Sequence, residues 1–253
     1  MKADEKKLIY NILKTADAYI CGCRRNIFKN NPTFKDDIFS VSDNFSFAQK
    51  DNHVQNAEKN IAETSSALSL EELNKKIVKC TRCQLARTRN NVVPGMGVKN
   101  PLVLVIGEGP GHDEDMQGLP FVGKAGILLD KMLNAIDLDR NKNCYIANVV
   151  KCRPPQNRNP LFQEMDACFS FLQTQIHILK PKMILCMGKI STEKLLNQSI
   201  SITQSHGIFF EYNGIPLMPT YHPSALLRNT DLKRPAWEDL KKFKKKLDEI
   251  VDL

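Results

Sequence analysis

Four stretches of the chain carry residues able to do chemistry. The first is GEGPGHDEDMQGLPFVGKAG at 107–126, which packs six Gly and two Pro into twenty residues. That density forces an irregular backbone able to approach a ligand closely. Its Gly spacing matches neither GxGxxG before a helix nor the phosphate-binding GxxxxGK pattern, which disfavours a nucleotide cradle. Asp113, Glu114 and Asp115 invite a magnesium-nuclease reading. Adjacent carboxylates in a loop are more often a solvated acidic turn, and no second carboxylate cluster supplies the remaining ligands. Phe121, set among Gly and Pro, is either a stacking platform for a planar ligand or a core residue.

The second stretch is ANVVKCRPPQNRNP at 147–160. Asn148 closes an apolar run, so its carboxamide can project into a cleft and offer a donor and an acceptor side by side, as a nucleobase edge requires. The bland alternative is an Asn that caps a turn. Lys151, Arg153 and Arg158 alternate with Pro, which reads as a stiff, basic, exposed loop suited to phosphates. The third stretch, YHPSALLR at 221–228, holds His222 beside Pro. An imidazole there can stabilise an anionic leaving group or act as acid or base, although one His in a loop is weak evidence by itself. Ser224 and its backbone could hold a phosphate. Leu226, Leu227 and Arg228 either wedge into a duplex or begin a helix.

The fourth group is made of cysteines. Cys80 and Cys83 form a CxxC, Cys152 lies in the basic loop, and Cys168 follows on the next helical segment. Four thiolates suit an iron–sulfur cluster or an all-cysteine zinc site, and sulfur ligands alone do not choose between them. Cys144 and Cys186 fall inside apolar runs and read as core thiols, while Cys21 and Cys23 read as incidental.

The elements that must position these residues are legible from periodicity. Helices are expected at 5–20, from Ser69 to about Cys80, and over 124–136, 160–179, 190–196 and 235–250. Strands are expected at 102–106, 144–150 and 183–187, and a hairpin at 208–218 around Asn213-Gly214. Residues 24–68 are rich in Asn, Asp, Ser and Lys and read as a linker. The expected organisation is therefore an N-terminal helix and linker over 1–68 and one domain over 69–253. Alternating strands and helices imply an α/β fold with a mainly parallel sheet, whose ligands gather at the C-terminal strand ends.

Composition narrows the partners. The chain has 253 residues, 42% hydrophobic and 25% charged, as in an ordinary globular protein. No apolar run approaches the ~18 residues of a membrane span, so no membrane partner is expected. Residues 1–7 are charged and show no apolar leader segment, so a cytoplasmic location with reduced thiols is expected. The net charge is +8, of which +7 falls within 71–253, the part better suited to a polyanion.

Taken together, GEGPGHDEDMQGLPFVGKAG, NVVKCRPPQNRNP and TYHPSALLR, in this order and with the cysteine frame around the second, resemble the family 4 uracil-DNA glycosylases. The resemblance runs from about residue 69 to 250. It implies a three-layer α/β/α fold around a four-stranded sheet, in an enzyme that flips deoxyuridine out of DNA and hydrolyses its N-glycosidic bond. It implies that Phe121 stacks on uracil, Asn148 reads its polar edge, and Glu114 stands near C5 to exclude a thymine methyl. His222 would stabilise charge on uracil O2. Glu108 and Gly109 would shape the water side, with Asn157 and Glu108 as the candidates to position the water. Arg153, Arg158, Ser224 and Arg228 would hold the DNA backbone. Cys80, Cys83, Cys152 and Cys168 would hold a [4Fe-4S] cluster of structural role. The partner would be uracil-containing DNA, single- or double-stranded, bound by a monomer associated with the nucleoid. Related glycosylases carry an Asp where this chain has Gly109. Family members commonly show Arg-Gly where it has His206-Gly207. A covalently capturing branch has an inserted loop with a His that PQNRNP lacks, so turnover is expected.

Two competing functions stand beside this one. One is a non-catalytic module that recognises uracil in DNA or accompanies a polymerase. The other is a zinc-stabilised phosphodiesterase built on Asp113 to Asp115.

Overall fold

The computed structural model describes residues 69–251. The helix expected at 5–20, the linker, Cys21 and Cys23 lie outside them. Helix α1 (Leu70–Val78) begins at Ser69, where a capping box closes: Glu72 N–H donates to Ser69 Oγ at 3.2 Å, and Ser69 N–H donates to the Glu72 carboxylate at 2.9 Å. Next come β1 (Met96–Gly97), β2 (Val103–Gly107), α2 (His112–Gln117), α3 (Lys124–Asn134) and β3 (Cys144–Asn148). They are followed by α4 (Phe162–Leu179), β4 (Met183–Met187), α5 (Lys189–Leu196) and α6 (Ile202–Ser205). The chain then forms β5 (Phe210–Tyr212), β6 (Ile215–Thr220), α7 (Pro223–Arg228) and α8 (Lys233–Val251).

The sheet has six strands in the order β1-β3-β2-β4-β6-β5, not the expected four. The central four are parallel, and short antiparallel strands β1 and β5 are added at the two edges. β5 enters through the expected hairpin, with Asn213 at φ 49° and Gly214 at φ 80° as its turn requires. β1 has only two residues and contains Gly97, too little for periodicity to register.

β2, β3 and β4 are buried along their whole length because both sheet faces are covered. Val103 and Val105 pack with Leu129 and Leu133 of α3 and with Leu240, Phe243 and Leu247 of α8. Leu104 and Ile106 point to the other face and pack with Leu172 and Ile176 of α4 and Leu195 of α5. The period-2 alternation of the strands thus builds two cores, and the result is the expected α/β/α sandwich. Cys144 and Cys186 are fully buried as expected, and burial pushes the Cys144 thiol up to about 12. No helix among the described residues is long and apolar enough to cross a membrane.

Candidate active site

The four parallel strands end side by side, and three of them, β2, β3 and β6, hand over to the singled-out loops. Gly107 at the end of β2 is in register with Asn148 at the end of β3. Met187 at the end of β4 is in register with Thr220 at the end of β6, two residues before His222. Parallel pairing alone therefore brings loops 107–126, 148–160 and 221–228 to one edge of the sheet.

Three side chains converge there. A Cβ added to Gly107 would run into Asn148 Oδ1 and would lie 2.6 Å from Phe121 Cζ. Gly107 is thus the floor on which the amide and the ring meet, and only a hydrogen leaves room for both. The Phe121 and His222 rings lie 5.6 Å apart between centroids, tilted by 31°. Gly188 backs the imidazole, since a Cβ there would sit 3.1 Å from His222 Cβ. Phe121 holds φ at 53°, a left-handed conformation that costs a bulky residue about 1–3 kcal/mol. Asn148 is 1% exposed, and its Oδ1 has no hydrogen-bond partner. A buried acceptor without a donor costs about 1–3 kcal/mol, so the fold keeps an unmade hydrogen bond at this point.

The state of His222 follows from its neighbours. Ser224 N–H lies 3.1 Å from Nδ1 and can only donate, so Nδ1 is the acceptor. A neutral ring then carries its proton on Nε2. Although the ring is partly exposed, the atoms packed around it push its pKa down to about 4, and Arg228 adds to the effect. Near neutral pH the group is an uncharged N–H donor. Ser224 Oγ is 2.8 Å from the same Nδ1, so this residue orients the imidazole. Glu114 acts on His222 electrostatically. Its Oε1 accepts from Val122 and Gly123 N–H at 2.9 and 3.1 Å, and its Oε2 accepts from Gly111 N–H at 3.0 Å. The side chain that acts on His222 also ties both ends of its own loop. That loop contains α2, which the density of Gly and Pro conceals in the sequence. Asp115 is turned away, bound to Asn90 and Asn91. The acidic triplet therefore does not converge on one point.

On the other sheet face, Cys80, Cys83, Cys152 and Cys168 line one hollow together with Arg82 and Arg89. Cys168 is within electrostatic reach of Cys80 and Cys83, and Cys152 of Cys83 and Cys168. Lys151 N–H points at Cys168 Sγ at 3.3 Å, and Arg89 Nη1 at Cys152 Sγ at 3.1 Å. N–H donors and a guanidinium around four thiols suit a thiolate-bound group. Among the described residues no three His, Cys, Asp or Glu are close enough to hold a single metal ion.

The uracil DNA glycosylase superfamily model matches residues 94–241. A Type-4 uracil-DNA glycosylase of Thermotoga maritima is 41% identical over 179 residues, covering 69% of this chain and 93% of that protein. The Type-4 enzyme of Sulfurisphaera tokodaii is 40% identical over 185 residues, 70% of this chain and 84% of its own length. That of Archaeoglobus fulgidus is 36% identical over 183 residues, 69% and 92% respectively. The chain belongs to the Type-4 uracil-DNA glycosylases.

Around Asn148, Phe121 and His222 the remaining residues of this Type-4 glycosylase take distinct places. Glu108 is half-buried, and burial raises its pKa. Gly109 packs close to the basic loop, where a Cβ would lie 2.7 Å from Val150 Cγ2. Asn157 is exposed at the rim and accepts from Arg153 Nε at 2.8 Å. Arg153 also donates to His112 Nδ1 at 3.0 Å. Arg158 forms a two-pronged pair with buried Glu164, at 2.9 and 2.7 Å, and so braces the start of α4. Arg228 is exposed at the end of α7. Lys151 is not the exposed basic residue its setting suggests. It is 1% exposed, donating from Nζ to Asn148 O at 2.8 Å and Gln175 Oε1 at 2.6 Å, and burial pushes its pKa down to about 8. It anchors the backbone of Asn148 to α4. His206 sits with Nδ1 at 2.9 and 3.0 Å from the two oxygens of buried Asp239, which also accepts from Thr220 Oγ1. Its ring lies 4.6 Å from that of Tyr221. No motif marks Gln175 or Asp239, since their side-chain partners lie 19 or more residues away.

Proposed function

We infer that this protein is a DNA-repair hydrolase that takes deoxyuridine out of the base stack and hydrolyses its N-glycosidic bond. Water adds to C1′ of the sugar, uracil leaves, and an abasic site remains. The observation that carries the reading is the unpartnered Asn148 Oδ1, set beside an aromatic ring that neighbours a neutral imidazole. Uracil supplies the missing donor at N3–H and an acceptor for the amide NH2 at O4. Cytosine has an acceptor at N3 and donors at N4, so the same amide meets it with like groups opposed.

Phe121 supports the base by stacking. As the bond breaks, negative charge grows on uracil O2, and the Nε2–H of His222 is the donor that stabilises it. A neutral donor suits this step, because an imidazolium would need a proton that the buried ring rejects until about pH 4. Glu114 holds the loop that carries Phe121 and closes the pocket toward C5, against a thymine methyl. Glu108, half-buried with a raised pKa, is the favoured group to orient the attacking water, with Gly109 leaving it room. Asn157 has its carbonyl engaged by Arg153, so it fits the rim better than the water site. Arg153 and Arg228 face the DNA backbone, Arg158 shapes the same loop from behind, and Ser224 serves the phosphate side through the turn it builds with His222.

Cys80, Cys83, Cys152 and Cys168 would hold a [4Fe-4S] cluster, supported by their common hollow and the N–H groups directed at two of the sulfurs. Such a cluster supplies covalent ties between the segment after α1, the basic loop and α4. The enzyme would work as a monomer on single- or double-stranded DNA, in the cytoplasm at the nucleoid. An oligonucleotide with a single uracil, incubated with the protein and then treated with alkali, tests the reading. Cleavage at that position alone is expected. Binding without cleavage would leave the recognition module, and uracil-independent cleavage abolished by EDTA would leave the phosphodiesterase.

A further inference from the structure

The left-handed backbone at Phe121 needs an explanation, because nothing in the residue itself favours it. The ring is 6% exposed and reaches over Gly107, so its angle decides how it meets the Asn148 amide. The peptide group that follows Phe121 is gripped on both edges. Its N–H, from Val122, goes to Glu114. Its carbonyl accepts from Arg140 Nη2 at 2.9 Å, while Arg140 Nη1 donates to the preceding carbonyl, that of Pro120, at 2.8 Å. One planar guanidinium therefore fixes two successive carbonyls, a match that a flexible ammonium cannot reproduce.

Arg140 is itself held. Its Nε and Nη2 donate to Asp130 Oδ1 at 2.9 and 2.7 Å, and its side chain is only 10% exposed. Asp130 sits on α3, one turn beyond Gly126, whose backbone runs so close beneath Phe121 that a Cβ would strike the Phe121 carbonyl. α3 thus supplies both the surface on which the loop rests and the carboxylate that orients the clamp. Arg140 lies in the turn before β3, the strand that ends in Asn148. Ring and amide, the two groups that grip the base, are thereby referenced to the same strand.

We propose that Arg140, oriented by Asp130, is a positioning residue for uracil release, acting only through the Phe121 ring. Its bonds go to main-chain carbonyls and to Asp130, so it is not a catalytic residue. A ring held before the base arrives leaves no ordering cost at the moment of flipping. The proposal rests on the reading of Phe121 as the stacking platform.

The test measures single-turnover uracil release and melting temperature for wild type, Arg140→Gln, Arg140→Lys, Phe121→Ala and the double variant Phe121→Ala/Arg140→Gln. Arg140→Gln is expected to slow release roughly 10- to 100-fold. Arg140→Lys should recover part of the rate, since one ammonium reaches one carbonyl. Arg140→Gln should not slow Phe121→Ala further, although it should lower the melting temperature equally in both backgrounds. If Arg140→Gln does not fold, Asp130→Asn, which keeps the two carbonyl bonds, should show a smaller loss with the same dependence on Phe121. A wild-type rate in Arg140→Gln, or losses that multiply in the double variant, would overturn the proposal. A wild-type rate in Phe121→Ala would instead overturn the stacking role on which it rests.

Discussion

Asn148 and His222 do different work, and their substitutions should separate. On the proposed reading, Asn148→Ala removes recognition at the base edge, and His222→Ala removes a donor to charge that grows only as the bond breaks. Each should slow uracil release by roughly 100- to 1000-fold, the typical value of one such donor. Single-turnover assays on uracil-containing oligonucleotides measure it, and binding of that DNA should weaken with the first variant more than the second. The neutral state of His222 also fixes a pH dependence. In the unfolded chain an imidazole takes its proton near 6.5, and in the folded protein at about 4. The stability that neutral His222 contributes is therefore complete above about pH 6.5 and is lost as pH falls toward about 4, up to about 3 kcal/mol. Thermal melts of wild type and His222→Gln between pH 4 and 8 should show that extra loss in wild type alone. Uracil release should show no acid limb between pH 8 and 6.5. Asn148 is legible in the sequence because it closes an apolar run, and His222 because it stands beside Pro in YHPSALLR. Lys151 is not, because a lysine among Arg and Pro looks like surface until Gln175 and the Asn148 carbonyl close around it.

Between elements, the decisive feature is the register that sets Gly107 beside Asn148. Gly107→Ala keeps β2 but places a methyl where the amide and the Phe121 ring meet. Uracil release should fall about 100-fold with little change in far-UV circular dichroism. The cysteine hollow joins elements in another way, since Cys80 follows α1, Cys152 lies in the basic loop and Cys168 on α4. Cys80→Ser should yield a colourless protein with a lower melting temperature. Full colour in the purified variant would remove Cys80 from the ligand set. The long elements were readable: α4, β4 and α8 lie within two residues of the positions their periodicity indicates. The short α2 and β1 were not. In α2, two flanking glycines and three acidic residues hide a single packed stretch. In β1, pairing with β3 alone makes the strand.

At the scale of the whole molecule, the basic balance of 71–253 should show itself as salt dependence. DNA affinity should fall steeply between about 50 and 200 mM salt for uracil-containing and uracil-free duplexes alike. Arg228→Ala should reduce the slope of log affinity against log salt by about one, as loss of a single phosphate contact does. His222→Ala should leave the slope unchanged. Fluorescence anisotropy with labelled duplexes measures all three. Of the four arginine and serine contacts expected from the sequence, only Arg153 and Arg228 keep guanidinium groups free of a carboxylate partner among the described residues. Arg158 is committed to Glu164, and Ser224 is turned to His222.

The sequence by itself determined the layers and singled out the residues of the proposed site. Hydrophobic periodicity is local, and so are the residue types of loops that follow strands. What only the tertiary structure decided is the state of those groups: the empty acceptor of Asn148, the proton on Nε2 of His222 and the enforced backbone of Phe121. The tautomer of His222 is local, fixed by Ser224 two residues on, but the angle of Phe121 is held by Arg140 nineteen residues away, and Asn148 is buried against a neighbouring strand. Burial in three dimensions assigns the charge of His222, and distant hydrogen bonds assign the angle of Phe121, which no run of neighbouring residues encodes.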